Sequence, residues 1–284
     1  MRAANLSGRL CLITGGGAVD VHAASAGLFD ADPAAVYPRW PEFTAWAASA
    51  ALPDPEPFAE AALGSPSPAP RQVFGIGLNY DDHAAESGFA RPEASPPVFT
   101  KFPACITGGY GEIELPPGGH TDWEVELAVV IGTTAHRVRA ASAWQFVAGV
   151  AVGQDISERI VQMSASPPQF SLGKSFPGFG PVGPWLVTPD ELANPDDLEL
   201  GCSINGEQMQ KGRTANLIFG VGELIEQLSR VTPLLPGDVI FTGTPGGVGM
   251  ARNPPRWLAP GDVLTSYIEG VGEMRHTFAA ARAG

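Results

Sequence analysis

The 284 residues carry 30 Asp and Glu against 17 Lys and Arg, a formal charge of −13, and this acid excess argues against binding to nucleic-acid phosphates or anionic lipid. The length is enough to bury a full core, and Cys11, Cys105 and Cys202 lie far apart outside any Cys/His cluster, which argues against a disulfide framework or a zinc site. Charged residues make up only 17% while Gly (35) and Pro (28) abound, a mixture that suits a turn-rich β protein better than a helical bundle.

No basic segment followed by a long apolar run opens the chain, and no apolar window reaches the ~20 residues of a membrane span. A soluble cytoplasmic protein with reduced thiols is expected. The first motif, LCLITGGGAVDV, has the look of a nucleotide-binding strand and loop. A dinucleotide loop spaces its glycines G-x-G-x-x-G and opens onto a helix, whereas Gly15, Gly16 and Gly17 are contiguous and a strand-like AVDV follows. The spacing predicts a β-hairpin. Residues 23–63 are alanine-rich and helical in character, punctuated by prolines, and a Pro/Ser-rich linker ends near Arg71. Residues 1–70 are therefore read as a small N-terminal domain and 71–284 as the main domain.

From Val73 onward strands dominate. VFGIGLNY and PPVFTKF read as extended, YDDHAAESG as a short helix stopped by glycine, and TDWEVELAVVIG as a strand passing from a site into a core. Helices are expected around 140–146 and 220–228, and PGDVIFTGTPGGVG and PGDVLTSYIEGVG are turns leading into strands. The expected class is β-rich α+β.

Several residues could carry chemistry. In a strand, Asp122, Glu124 and Glu126 share one face, about 7 Å apart in sequence order, close enough to serve one cation. A solvated strand face fits the same pattern. Asp155, leaving the apolar FVAGVAVG, would be a cap or a further ligand; with no Cys or His nearby, an all-oxygen site suits Mg²⁺, Mn²⁺ or Ca²⁺. His83 and Glu86 lie three apart on one helical face, the spacing of an oriented general base and equally of a surface ion pair. Lys174, in a loop rich in glycine and proline, would hold an oxyanion or snorkel to solvent. The glycine-rich turn around Thr244 lacks phosphate-loop spacing and presents N–H groups and one hydroxyl.

These residues occur in a recognised order. The segments GIGLNYDDHAAESG, PPVFTKFPACITG, DWEVELAVVIG, GQDISERIVQ, LGKSFPGFGPVGPWLVTPDEL, INGEQMQKGRT and GDVIFTGTPGGVG together resemble the fumarylacetoacetate hydrolase family over roughly Arg71 to Phe278, in its shorter bacterial form. The resemblance implies a mixed β-roll catalytic domain around a divalent metal, commonly Mg²⁺ or Mn²⁺ and sometimes Ca²⁺. It maps the metal carboxylates onto Glu124, Glu126 and Asp155, with Asp122 behind them, and a catalytic His–Glu dyad on a lid helix onto His83 and Glu86. Lys174 matches the active-site lysine, Thr244 a threonine contacting the substrate carboxylate, and Arg159 and Gln162 a pocket-lining pair. The implied activity is on a 2-oxo acid or 1,3-dicarbonyl compound: first C–C hydrolysis of an acylpyruvate, otherwise decarboxylation of oxaloacetate or isomerisation or hydration of a 2-oxo-enoate. After Gln162 the chain reads MSASPPQFSLGKSFPGFGP, where many relatives carry a tryptophan before the lysine and Asp and Thr after it, so the substrate-facing wall departs from the common pattern. Relatives are commonly homodimers, which sets the same expectation here.

Overall fold

The computed structural model describes residues 1–88 and 90–281. Strands β1 (Arg2–Leu6), β2 (Arg9–Thr14) and β3 (Gly17–Asp20) form an antiparallel meander. Thr14 faces Gly17 across the β2–β3 pair, so Gly15 (φ 58°) and Gly16 (φ 84°) alone make the turn. Two successive left-handed residues are what a two-residue hairpin turn demands, and the expected hairpin forms. The alanine-rich stretch is helical over less of its length than its composition suggests: a 3-10 segment at Pro33–Arg39 leads into a helix at Trp40–Ala47. Beyond it Pro53, Pro55 and Pro57 remove every second N–H donor, and the chain runs without helix until Glu60.

The main part supplies β4 (Val73–Ile76), β5 (Val98–Thr100), β6 (Tyr110–Leu115), β7 (Val125–Ile131) and β8 (Val147–Gln154). It continues with β9 (Gly180–Val187), β10 (Glu199–Ile204), β11 (Glu207–Arg213), β12 (Val239–Phe241), β13 (Val263–Ile268) and β14 (Gly272–Ala280). The large sheet runs β3-β2-β1-β9-β8-β7-β12-β4-β5 and a second runs β11-β10-β13-β14-β6. Most neighbours are antiparallel; β12 with β4 and β14 with β6 are parallel. The N-terminal meander joins the large sheet through β1 against β9.

Strand β7, VELAVVI, is buried at every position. Its period of two divides it between two cores. Val125, Leu127, Val129 and Ile131 pack with Leu200, Leu264 and Ile225 of the second sheet and the Val221–Val231 helix, while Ala128 and Val130 pack with Val36, Trp40 and Phe43 of the N-terminal segment. Glu126 belongs to the second face, at the open end of the strand. The helix expected near 220 spans Val221–Val231, its first turn tied by the Gly220 N–H donating to Glu223 Oε2 at 2.9 Å. The helix expected at 140–146 is a 3-10 segment. All three cysteines are buried and unpaired, and no helix among the described residues is long and apolar enough to cross a membrane.

Candidate metal centre and catalytic dyad

The strand expected to run through DWEVEL breaks at Trp123 and Glu124. Asp122 pairs with Ser157 in a two-residue ladder, and its carboxylate accepts from the backbone N–H groups of Trp123 (2.8 Å), Gly249 (2.6 Å) and Met250 (3.0 Å). The Glu124 N–H then donates to Gln154 Oε1 at 3.0 Å and the Val125 N–H to Gln210 Oε1 at 2.9 Å. Two glutamine side chains thus replace strand neighbours at the break. The break turns Glu124 toward Glu126 and Asp155, whose ligand atoms all lie within 4.8 Å of one another. Far from forming a solvated face, Asp122, Glu124, Glu126 and Asp155 are 5% exposed or less.

Buried cations interleave with these acids. Lys174 Nζ donates to Glu124 Oε2 (2.7 Å), Asp155 Oδ2 (2.6 Å) and Ser157 Oγ (2.8 Å). Arg159 bridges Asp122 Oδ2 (2.7 Å) and Glu124 Oε1 (2.8 Å) and donates to Gln162 Oε1 at 2.9 Å. Burial alone would raise the Glu124 carboxyl pKa, but Lys174 and then Arg159 overcome it and hold the group well below the usual carboxylate range. Burial would likewise lower Lys174, and Asp155 and Glu124 overcome it, so the ammonium is held charged. Glu126 behaves oppositely: burial, then Asp155 and Glu124, push it well above the ordinary value. It accepts from the Gly243 N–H at 2.6 Å.

Lys174 ends a one-turn helix, Phe170–Gly173, that crosses the Arg159–Gln162 turn. A Cβ on Gly173 would stand 2.7 Å from the Gln162 nitrogen, so glycine is what lets these two turns touch. Neither turn was legible as helix, since four residues give no periodicity to read. Lys101, just after β5, also escaped the sequence reading. It is 0% exposed, donates to Asp155 Oδ1 at 2.6 Å and also to the Lys174 main-chain oxygen. It thereby occupies one oxygen of Asp155 and steadies the segment that carries Lys174. A lone lysine in an apolar strand segment was the available signal.

His83 and Glu86 sit on the short helix Asp81–Glu86. His83 Nδ1 lies 2.9 Å from Glu86 Oε1, and Glu86 Oε2 accepts from the Gly247 N–H at 2.8 Å. The carboxylate so anchored ties the helix to the glycine-rich turn after Thr244, with His83 only 8% exposed. The Thr244 hydroxyl donates to the Val125 carbonyl (2.9 Å) and accepts from Gln210 Nε2 (2.8 Å). His83, Glu124, Glu126, Lys174, Arg159, Gln162 and Thr244 all line one cavity with about 490 Å³ of non-atom space, part of it open to solvent. Asp155 and Glu86 stand just behind its wall.

The donor set fits a hard divalent cation. Three buried carboxylates offer oxygen alone, Glu126 makes no ion pair within 4 Å among the described residues, and the Lys174 ammonium already bridges two of the three.

Buried opposed charge is thus gathered beside a tethered imidazole around one cavity. A model of the fumarylacetoacetate (FAA) hydrolase C-terminal family matches residues 72–279, and the chain belongs to that family of oxo-acid enzymes. It is 43% identical over 217 residues to oxaloacetate tautomerase FAHD2A, mitochondrial, of Homo sapiens, covering 76% of this chain and 69% of that one. The crystal structure of a candidate HpcE protein from Mycobacterium smegmatis superposes with a TM-score of 0.96 at 56% identity, over 99% of this chain and 100% of that one. Maleylpyruvate hydrolase from Sphingobium sp. SYK-6, in complex with manganese(II) ion and pyruvate, superposes with a TM-score of 0.78 at 27% identity, over 99% and 100%.

Proposed function

We propose that this protein hydrolyses a C–C bond in a 2,4-dioxo acid of the acylpyruvate type, in a catalytic unit spanning 71–284 with residues 1–70 as a smaller unit docked on its large sheet. The observation that carries the reading is the His83–Glu86 pair, held at 2.9 Å and lining the same cavity as Glu124 and Glu126. Glu124, Glu126 and Asp155 would hold Mg²⁺ or Mn²⁺, with Ca²⁺ a third candidate, and manganese in the maleylpyruvate hydrolase complex supports this class of ion. The bound cation would supply Lewis-acid polarisation of a 2-oxo group and stabilise enolate charge.

Glu86 takes the Nδ1 proton of His83 as a hydrogen bond, leaving Nε2 to accept a proton from water. That water oxygen bonds to the distal carbonyl carbon. The bond from that carbon to C3 then breaks, its electron pair passes to the 2-oxo group as an enolate, and the proton taken up by His83 ends on C3. Lys174, held charged by its neighbours, would stabilise the enolate. Arg159, Gln162 and Thr244 are assigned to substrate contact. For Thr244 the backbone N–H is the better donor, since its hydroxyl proton is already given to Val125.

The oxaloacetate tautomerase relative favours a second reading, proton transfer on oxaloacetate, by the same cation and base. A small-molecule 2-oxo acid partner, a homodimer and a cytoplasmic location complete the proposal. Turnover of acylpyruvates, oxaloacetate and 2-oxo-enoates in Mn²⁺, Mg²⁺ or chelator tests it. Chelator should abolish turnover, and His83→Ala should keep Mn²⁺ binding while losing acylpyruvate hydrolysis; full hydrolysis by that variant would sink the assigned base.

A further inference from the structure

The cavity lining is chemically mixed. Its charged members are Glu124, Glu126, Arg159 and Lys174, with His83, Ser87, Gln162 and Thr244 as further polar groups. Its large apolar members are Ile76, Leu78, Phe99, Met163, Phe170 and Met250. Phe99 and Phe170 meet edge to face, 5.7 Å between centroids and 65° between planes. The Phe99 ring packs on Gly75, where a Cβ would stand 2.2 Å from its Cε2 and Cζ, so glycine leaves room for the ring. Lys174 Nζ is 5.1 Å from the same ring centroid, so the aromatic wall borders the charged groups directly.

The cations of the lining are already engaged. Arg159 is bound to Asp122 and Glu124 and Lys174 to Glu124 and Asp155. No other Lys or Arg belongs to the described lining. Arg91, in the loop beyond the dyad helix, is paired with Asp81 at 2.6 Å outside that lining. The head of a 2-oxo acid has cationic donors here, whereas a second carboxylate would meet no further Lys or Arg in the described lining, only neutral donors such as Ser87, Gln162 and Thr244.

We propose that the Phe99–Phe170–Met163–Met250 wall is a subsite for an apolar tail, so that the protein selects a monocarboxylic 2,4-dioxo acid with an alkyl or aryl end and rejects one ending in a carboxylate. A terminal carboxylate there would lose water without gaining a charged partner, whereas a methyl group gains contact with two rings and two thioethers. The inference rests on the oxo-acid reading above for the head group and adds the tail.

The test compares two compounds of equal length and identical head: 2,4-dioxoheptanoate and 2,4-dioxoheptanedioate. With the full-length Mn²⁺-loaded protein, kcat/KM should favour the monoacid on the order of 100-fold. Met163→Arg, placing a cation at the partly exposed rim (Met163 is 43% exposed), should raise diacid turnover at least tenfold while lowering that of the monoacid. Binding of both compounds by calorimetry separates this inference from the reaction assigned above. If neither is cleaved but the monoacid binds far more tightly, the tail subsite stands and the hydrolytic reading falls. If both are cleaved or bound with equal efficiency, or the diacid is preferred, the apolar subsite is wrong even where hydrolysis holds. Binding of neither would overturn both.

Discussion

Replacing Lys174 by methionine asks how the site balances its charge. The ammonium lies 2.7 Å from Glu124 and 2.6 Å from Asp155, with the lysine side chain only 3% exposed. Methionine keeps the bulk and removes the charge, leaving two buried carboxylates that face each other without their shared cation. Removing one partner of a buried ion pair costs about 3–5 kcal/mol, which in a chain of this size lowers Tm by roughly 5–8 °C in the presence of chelator. A divalent cation on the same carboxylates would restore the balance. Saturating Mn²⁺ contributes about 2.7 kcal/mol at a hundred times Kd, and that contribution should be larger in the variant because no ammonium competes for the same oxygens. Scanning calorimetry of both proteins in EDTA and in Mn²⁺ reads each quantity, and the Mn²⁺-induced rise in Tm should be several degrees greater in Lys174→Met than in the wild type. Lys211→Met is the control: its ammonium lies 3.1 Å from Glu199 but is half exposed, so its loss should cost less than about 1 kcal/mol. Equal Mn²⁺-induced rises in wild type and Lys174→Met would refute the idea that lysine and metal serve the same two carboxylates.

Glu86→Gln should keep the dyad helix near its place yet deprive it of an ionised acceptor for both His83 and Gly247, lowering kcat on the order of 100-fold with Mn²⁺ affinity unchanged in a calorimetric titration; unchanged kcat would show that Glu86 does not orient the base. His276 offers a pH prediction away from the site: burial lowers its pKa from 6.5 to about 4, against the Nε2 contact with the Gly108 carbonyl at 3.0 Å. Its folded form stays neutral where the unfolded chain takes up a proton, so its penalty is absent above pH 6.5 and grows as pH falls toward 4. Between pH 7 and 5 the loss is about 2 kcal/mol. Urea unfolding should show that loss in the wild type beyond whatever His276→Gln shows, and parallel pH profiles for the two proteins would refute it.

What was legible in the sequence is what local rules constrain. Gly15 and Gly16 turn a hairpin because their spacing suits no phosphate loop, and Gly220 and Glu223 bracket the start of the Val221–Val231 helix. The acids of the site stood out because each interrupts an apolar run: Glu124 and Glu126 before LAVVI, Asp155 after VAGVAVGQ. What stayed hidden depends on partners distant in the chain. Alternation put Glu124 and Glu126 on one face but left open whether that face met water, and only the segments carrying Lys174, Arg159 and His83, which come against it from elsewhere in the chain, cover it. Lys101 meets Asp155 across 54 residues and Gln210 meets Val125 across 85, and although a lone lysine in an apolar segment hints at burial, nothing in the sequence names its partner.

The same pairings explain why this site, unlike an ordinary buried ion network, is left with one unmatched acid. Asp122 has Arg159, Glu124 has Arg159 and Lys174, and Asp155 has Lys101 and Lys174. Glu126 receives the Gly243 N–H and, among the described ion pairs, no cation. A fold selected for stability alone would replace such a group by an apolar residue, as it does at the next inward-facing positions, Ala128 and Val130. Keeping a carboxylate there, raised in pKa by burial and by two acids beside it, makes sense when a further positive charge belongs to the working protein. Glu126→Leu should therefore be at least as stable as the wild type in EDTA and lose the stabilisation by Mn²⁺. A variant that is instead less stable in EDTA and keeps its full Mn²⁺ response would place the metal elsewhere.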